Sequence, residues 1–123
     1  MRKFNFLIVD DILMNRLLLK EIIYELGNII KEATNGKEAI HILEKESIDI
    51  ILMDIEMPVM NGLETTEYIR NQMPFPKNSL PIIALTAHNP NDFFESYHNA
   101  GFNYLLTKPY SFDKIKEAIQ SFN

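Results

Sequence analysis

The sequence has 123 residues, a length that suits a single folded domain. Its hydrophobic fraction of 46% and charged fraction of 24% are those of a globular protein that can bury its own core. The lack of cysteine excludes disulfides and thiolate metal sites, and a net charge of −5 without a Lys/Arg cluster argues against direct nucleic-acid binding. Because no secretory signal is visible and no apolar run approaches a membrane span, we expect a cytoplasmic chain that does not insert into membranes.

The chain begins with an alternation of short apolar runs and amphipathic stretches. Phe4–Val9 predicts a buried strand, which two aspartates end. Leu13–Leu26 predicts a helix, for which Gly27 supplies a C-terminal stop, and Ile29–Ala33 predicts a second strand. The apolar residues at helical spacing in this first helix are Leu13, Leu17, Leu18, Ile22 and Leu26.

In the middle of the chain, two helix starts carry the same capping signal. An asparagine followed three residues later by a glutamate predicts helices over 35–45 and 62–71. The two pairs are Asn35 with Glu38 and Asn61 with Glu64. Between these helices, Ile48–Met53 is a nearly continuous apolar run, which is typical of a central parallel strand that is covered on both faces.

The last third of the chain continues the alternation. After a proline-containing loop at 72–80, the predicted elements are strand Pro81–Leu85, helix 90–100, strand Phe102–Leu106 and helix 112–121. Gly101 supplies the stop of the first of these helices, and Ser111 supplies the cap of the second. Five strands that alternate with five helices predict an α/β fold, in which an open parallel sheet carries helices on both faces.

Polar side chains follow the ends of these strands. Asp10 and Asp11 end the first strand, Asp54 ends the third and Thr86 the fourth, and Lys108 lies just past the fifth. The carboxyl ends of parallel strands meet at one edge of the sheet, where ligands of such folds bind. We therefore expect these five side chains to converge on one site.

The chemistry of these residues indicates a metal and a phosphoryl group. A single aspartate after a strand is often only a turn or cap residue, but three carboxylates at one edge repel one another unless a cation relieves them. Oxygen ligands favour Mg²⁺ over Zn²⁺, and protein-bound Mg²⁺ commonly bridges carboxylates to a phosphate oxygen. An aspartate can accept a phosphoryl group as a nucleophile. Lys108 would then supply positive charge and Thr86 a hydroxyl, and Ala87 would leave room beside the group.

Five motifs along the chain are together far more specific than any one of them alone. They are Val9-Asp10-Asp11, Met53-Asp54-Ile55-Glu56-Met57-Pro58, Asn61-Gly62, Ala84-Leu85-Thr86-Ala87 and Lys108-Pro109. On these motifs the chain resembles the receiver domains of bacterial response regulators and hybrid histidine kinases. The segment Asp11-x-x-x-Asn15-Arg16 looks closest to the receivers of hybrid kinases. The resemblance implies one receiver domain over 1–123, with a flavodoxin-like doubly wound (βα)5 fold and strand order 2-1-3-4-5.

The resemblance also implies a phosphoacceptor and a Mg²⁺ site. Asp54 matches the phosphorylated aspartate of the family. Asp11 matches a direct Mg²⁺ ligand, and Asp10 matches the residue that assists, often through water. Asp54 itself and the backbone carbonyl of Glu56 would complete the protein ligands.

The remaining matched positions concern the response to phosphorylation. Lys108 matches the phosphate-binding lysine, and the Lys108–Pro109 bond matches the family's cis peptide. Thr86 matches the switch hydroxyl and Tyr104 the switch aromatic. We expect Glu56 and His88 to flank the path of the hydrolytic water and to tune the lifetime of the phosphorylated state. As a pair they would hinder water, whereas either one acting as a base would shorten the lifetime. Before phosphorylation, Glu56 would pair with Lys108 or with protonated His88.

Three functions remain open on the sequence alone. The first is a switch, scarcely an enzyme with turnover, that takes its phosphoryl group from a histidine kinase or phosphotransfer protein and binds a downstream protein on the 90–121 face. The second is an enzyme: an aspartyl-phosphate phosphatase, or a small nucleotide or flavin protein on the same fold. A phosphatase would want a second acid in Asp-x-Asp, where this chain has Glu56, and a Gly-rich phosphate loop is absent. The third is a degenerate receiver that binds partners without phosphorylation. The sequence does not decide between a stand-alone regulator and part of a hybrid kinase.

Overall fold

The five predicted strands form one parallel sheet in a computed structural model that describes residues 3–87, 101–109 and 111–122. The strand order is β2-β1-β3-β4-β5, which confirms the flavodoxin-like order 2-1-3-4-5. The strands are β1 Phe4–Val9, β2 Gly27–Ala33, β3 Ile50–Asp54, β4 Ile82–Thr86 and β5 Tyr104–Thr107. The helices of the described ranges are α1 Leu13–Ile23, α2 Gly36–Lys45, α3 Gly62–Gln72 and α4 Phe112–Gln120. The helix predicted over 90–100 lies outside the described residues.

The strand order brings the carboxyl ends of β1, β3 and β4 side by side. Val9 pairs with Met53, and Asp54 pairs with Leu85. Thr86, the last residue of β4, pairs with Thr107 at the end of β5. The polar residues that end or follow these strands are therefore brought to one edge, as the sequence predicts.

The core occupies both faces of the sheet. On one face, β1 and β3 pack against α1 and α4; this cluster includes Phe6, Ile8, Leu52, Leu19, Ile23, Ile115 and Ile119. On the other face, alternate residues of the same strands pack against α2 and α3; this cluster includes Leu7, Val9, Ile51, Met53, Ala39, Leu43 and Ile69. Because both faces are covered, the central strands are apolar at nearly every position, as Ile50–Asp54 shows.

The buried face of the first helical segment agrees only in part with the apolar spacing: Leu26 is buried and Ile22 packs against the core, as the spacing indicates. Leu19 and Ile23 are fully buried, whereas Leu13, Leu17 and Leu18 are each about half exposed. The helix carries leucine, isoleucine or methionine on most of its sides. The apolar spacing therefore fits more than one buried face, and tertiary packing determines which face is buried. Met14 and the preceding Ile12 are exposed as well, which leaves α1 with an apolar outer face.

Several helix and strand boundaries also differ from the predicted ones. The first helix ends at Ile23, a 3₁₀ turn covers Tyr24–Leu26, and β2 starts at Gly27 instead of Ile29. The third strand starts at Ile50 instead of Ile48. The fifth strand starts at Tyr104 instead of Phe102. Just before β5, the Asn103 side chain accepts hydrogen bonds from the backbone of Ile82 and from Arg70, which holds residues 101–103 in an irregular connection.

The predicted caps are found at three helix starts. Asn61 and Glu64 form a complete capping box on α3. Asn35 accepts from the backbone of Glu38 at α2, but the Glu38 side chain accepts from Thr34 instead of closing the box. Ser111 accepts from the backbone N–H of Lys114 at α4. The longest helices of the described ranges have 11 residues, and none of the helices there is long and apolar enough to cross a membrane.

Candidate functional site

Three carboxylates meet at the carboxyl edge of the sheet. Asp10 and Asp11 directly follow β1, and Asp54 is the last residue of β3. One carboxylate oxygen from each lies within 4.8 Å of the others. Asp10 and Asp54 are buried while Asp11 is exposed, so the cluster opens to solvent on one side. The convergence predicted for these three residues is therefore found.

The orientation of Asp10 is fixed by residues of the following segment. Its Oδ1 accepts hydrogen bonds from the backbone N–H of Ile12 at 2.9 Å and from the Asn15 side chain at 3.4 Å. Its backbone carbonyl accepts from Arg16 Nη1 at 2.8 Å. Asn15 and Arg16 are part of the family likeness, but the sequence predicted no role for either, although both follow Asp11 at fixed spacing.

Arg16 is itself held by β2. Its Nε donates to Glu32 Oε1 at 3.0 Å, and Lys20 binds the other oxygen of Glu32 at 3.0 Å. Burial alone would raise the pKa of Glu32, but the hydrogen bonds and charges of Lys20 and Arg16 outweigh it and hold that pKa below its usual range. Glu32 therefore stays ionised and anchors the guanidinium that binds Asp10.

The carboxyl group of Asp54 has a pKa that is raised above its usual value. Burial, followed by the negative charge of Asp10, raises the pKa of Asp54 from 3.8 to about 6, against the opposing charge and hydrogen bond of Lys108. Lys108 Nζ lies 3.1 Å from Asp54 Oδ1. Asp54 is 1% exposed, so its negative charge costs free energy that an added cation would recover.

Lys108 and Thr86 are tied to each other through the backbone. The N–H of Lys108 donates to the carbonyl of Thr86 at 2.7 Å, which fixes the residue after β5 against the end of β4. The Lys108–Pro109 peptide is cis, as the family likeness implies. Lys108 and Thr86 therefore border the acidic cluster from the same side.

Glu56 contacts Thr86 through its side chain. The Thr86 hydroxyl donates to Glu56 Oε1 at 2.9 Å, and the backbone N–H of Glu56 points at Asp54 Oδ1 at 3.4 Å. The sequence predicted Lys108 or His88 as the partner of Glu56, and Thr86 was not foreseen. His88 lies outside the described residues, and its pairing with Glu56 stays a prediction.

Tyr104 lies on the other face of the sheet from Thr86. Its ring packs edge to face on Phe122, with the centroids 6.0 Å apart. Because Tyr104 pairs with Ile83 and side chains alternate along a strand, Tyr104 shares the face of Ile83, and Thr86 points the opposite way. Leu105 and Thr107 are the β5 residues on the Thr86 face, and Leu105 packs with Ile55 and Ala84. The switch role of Tyr104 stays a prediction, and it would have to act around the edge of the sheet.

The loop after Asp54 has two unusual backbone positions. Val59 adopts a φ of 70°, in the left-handed region that a β-branched residue rarely occupies. Gly62 begins α3 against the backbone of Asp54, and a Cβ there would lie 2.4 Å from the Asp54 carbonyl oxygen. The predicted Asn61-Gly62 motif is thus explained by a cap and by close packing on the phosphoacceptor candidate.

The donor set suits a hard divalent cation. The oxygens come from three carboxylates. Burial and the charge of Asp10 raise the pKa of Asp54, so a bound cation would stabilise its ionised form. Carboxylate and carbonyl oxygens are the ligands that Mg²⁺ prefers. A doubly wound parallel sheet with an acidic cluster, a lysine and a hydroxyl at its carboxyl edge defines the class of receiver-like phosphotransfer domains.

Comparison with known proteins gives the family. The model of the response regulator receiver domain matches residues 6–120, and the chain belongs to this family. It is 39% identical over 114 residues, or 93% of its length, to the sensor protein EvgS of Escherichia coli O157:H7. The chain spans only 9% of the length of EvgS. It is also 34% identical over 119 residues, or 96% of its length, to the aerobic respiration control sensor protein ArcB of Escherichia coli K12, and it spans 15% of the length of ArcB.

Solved structures agree with this assignment. The receiver domain of the sensor histidine kinase PA1611 from Pseudomonas aeruginosa superimposes with a TM-score of 0.85 at 30% identity, over 97% of this chain and 96% of that one. That structure has a magnesium ion coordinated in its active site cleft. The likeness to receivers that form part of histidine kinases is therefore confirmed, and the protein is a receiver domain of two-component phosphorelay signalling.

Proposed function

We propose that Asp54 accepts a phosphoryl group from a phosphohistidine of a histidine kinase or phosphotransfer protein, and that the chain over 1–123 acts as one receiver domain. The observation that carries this proposal is the placement of Asp54 among Asp10, Asp11 and Lys108. A carboxylate whose pKa is raised to about 6 is still largely ionised at neutral pH, and it faces a cationic side chain that can receive the incoming charge.

The transfer needs one bond to form and one to break. A carboxylate oxygen of Asp54 attacks phosphorus, a P–O bond forms, and the P–N bond of the donor breaks. The donor imidazole leaves with the electron pair and takes a proton from water. Lys108, 3.1 Å from Asp54, stabilises the negative charge of the transferred group. Thr86 directly follows Leu85, which pairs with Asp54, and its hydroxyl would donate to the transferred group.

Mg²⁺ is the cofactor that the site fits. Asp10, Asp11, Asp54 and the backbone carbonyl of Glu56 would hold it, and when bound it would neutralise charge on the phosphoryl oxygens. Arg16 and Asn15 keep Asp10 in place by their contacts with its carbonyl and carboxylate. This part of the proposal is supported by the magnesium ion in the cleft of the PA1611 receiver.

The phosphoryl donor would dock on the outer face of α1. This face consists of Ile12, Leu13, Met14, Leu17 and Leu18, which are 45–69% exposed. It starts one residue after Asp11, so a helical partner that covers it carries its histidine to the acidic cluster. Exposed apolar patches of this kind usually mark protein contacts.

The output of the domain would be a binding change, without turnover of an external substrate. The downstream protein is proposed to bind the 90–121 face, of which β5 and α4 are described. Thr86 would be the switch hydroxyl and Tyr104 the switch aromatic. A cytoplasmic location follows from the proposed donor, because a kinase draws its phosphoryl group from ATP inside the cell.

The test is covalent labelling with acetyl phosphate and Mg²⁺. Wild-type protein should gain one phosphoryl group that is stable in acid and labile to base and hydroxylamine, as acyl phosphates are. Asp54→Asn should gain none. A wild-type protein that stays unlabelled while it is folded and binds Mg²⁺ would identify a degenerate receiver. Release of phosphate with multiple turnovers would identify an enzyme.

A further inference from the structure

We infer that Glu56 is a latch for the unphosphorylated state, because its carboxylate holds the hydroxyl that the phosphoryl group needs. This inference rests on the proposed function of Asp54 and Thr86. It adds a residue that controls how readily the chain switches. The observation that carries it is the 2.9 Å hydrogen bond from Thr86 Oγ1 to Glu56 Oε1.

The direction of this hydrogen bond follows from the groups involved. A carboxylate can only accept, so the Thr86 hydroxyl must donate its single proton to Glu56. A phosphoryl group on Asp54 likewise has only acceptor oxygens. The same proton cannot serve both, and Glu56 therefore competes directly with the phosphoryl group for Thr86.

The position of Glu56 suits this competition. It lies two residues past Asp54, and its backbone N–H already points at Asp54 Oδ1. Thr86 is fully buried at the end of β4, so its hydroxyl has few directions in which to donate. Glu56 itself is exposed, so its side chain can swing away into solvent once Thr86 turns toward Asp54. The latch thus opens at little cost to the rest of the fold.

The strength of the latch sets the size of the effect. A hydrogen bond to a charged acceptor is stronger than a neutral one, and solvent weakens it when the acceptor is exposed, as Glu56 is. Removing Glu56 should therefore tighten the binding of a phosphoryl mimic by about three- to tenfold. Glu56→Gln keeps an acceptor oxygen but loses the charge, and it should give a smaller gain.

The experiment is a double-mutant cycle with beryllofluoride, in the presence of Mg²⁺, as the probe. Calorimetry gives the affinity of wild type, Glu56→Ala, Thr86→Ala and the double mutant, and circular dichroism checks that each is folded. The latch predicts that Glu56→Ala tightens binding in the wild-type background and has no effect in the Thr86→Ala background. Equal tightening in both backgrounds would mean charge repulsion alone and would overturn the latch.

A second readout needs no ligand affinity. With the Thr86 methyl group labelled, the free Glu56→Ala protein should show a methyl resonance shifted toward its beryllofluoride-bound position, because the population moves to the switched state. An unchanged resonance together with unchanged affinity would also overturn the latch. If the wild-type protein does not bind beryllofluoride at all, the proposed function of Asp54 fails, and the latch fails with it.

Discussion

Replacing Asp54 with asparagine should stabilise the metal-free protein at neutral pH. In the folded chain, burial and the charge of Asp10 raise the pKa of Asp54 from 3.8 to about 6. The folded state therefore binds this proton more tightly than the unfolded state does. Stability from this group is complete below pH 3.8 and is lost as the pH rises through about 6. Asparagine cannot ionise, so the variant escapes this loss.

The size of the effect follows from the two pKa values. The difference between about 6 and 3.8, at 1.36 kcal/mol for each pKa unit, corresponds to about 3 kcal/mol of unfolding free energy. Asp54→Asn should therefore match wild type near pH 4 and exceed it by up to about 3 kcal/mol above pH 7. Most of the advantage should appear between these pH values, where the folded and unfolded states differ in bound protons.

The assay is urea unfolding followed by far-ultraviolet circular dichroism, in EDTA, across this pH range. Asp113→Asn, which removes an exposed carboxylate from the first turn of α4, is the matched control. Subtracting its difference from wild type at each pH leaves the part of the Asp54→Asn effect that belongs to the buried site. A gap between Asp54→Asn and wild type that does not grow with pH, or a less stable Asp54→Asn protein at pH 7, would refute the electrostatic strain at this site.

Three further predictions concern residues around the acidic cluster. Val59→Gly should raise the unfolding free energy by about 1 kcal/mol in urea, because glycine relieves the left-handed strain, and a destabilised variant would contradict this. Arg16→Ala should weaken Mg²⁺ binding about tenfold by calorimetry, because Arg16 holds the Asp10 backbone carbonyl. Lys20→Ala should not weaken it, because Lys20 contacts Glu32 and is not a hydrogen-bond donor to Asp10, and equal losses would argue against positioning by Arg16. Leu17→Glu should slow phosphoryl transfer from a histidine donor more than tenfold and leave acetyl phosphate labelling intact, and loss of both would point to misfolding.

The fold was predictable because the sequence signals for strands and for helix starts are strong and agree with one another. Apolar runs such as Ile48–Met53 end in polar residues, and asparagine caps at Asn35 and Asn61 mark helix starts. The buried face of α1 was only partly predictable, because apolar residues lie on several sides of this helix, and only packing against β1 and α4 selects Leu19 and Ile23.

The carboxylates, the lysine and the hydroxyl of the candidate site were predictable, but their mutual contacts and the supporting residues Asn15, Arg16 and Glu32 were not. Topology alone brings Asp10, Asp54 and Lys108 to one edge, since each follows a strand. The hydrogen bond between Thr86 and Glu56 depends on rotamers, which sequence spacing does not specify. Tyr104 illustrates the same limit, because a change of one position along a strand moves a side chain to the opposite face.

The central claim is that Asp54 is the residue that carries the phosphoryl group. Its most direct test is to phosphorylate the chain, reduce the acyl phosphate with borohydride to homoserine, and map the change by mass spectrometry after trypsin digestion. Trypsin separates the candidates, since Asp10 and Asp11 lie in the peptide 4–16 and Asp54 in the peptide 46–70. We predict homoserine at position 54 alone. Homoserine at position 10 or 11 in the wild-type protein, with position 54 unchanged, would contradict the claim.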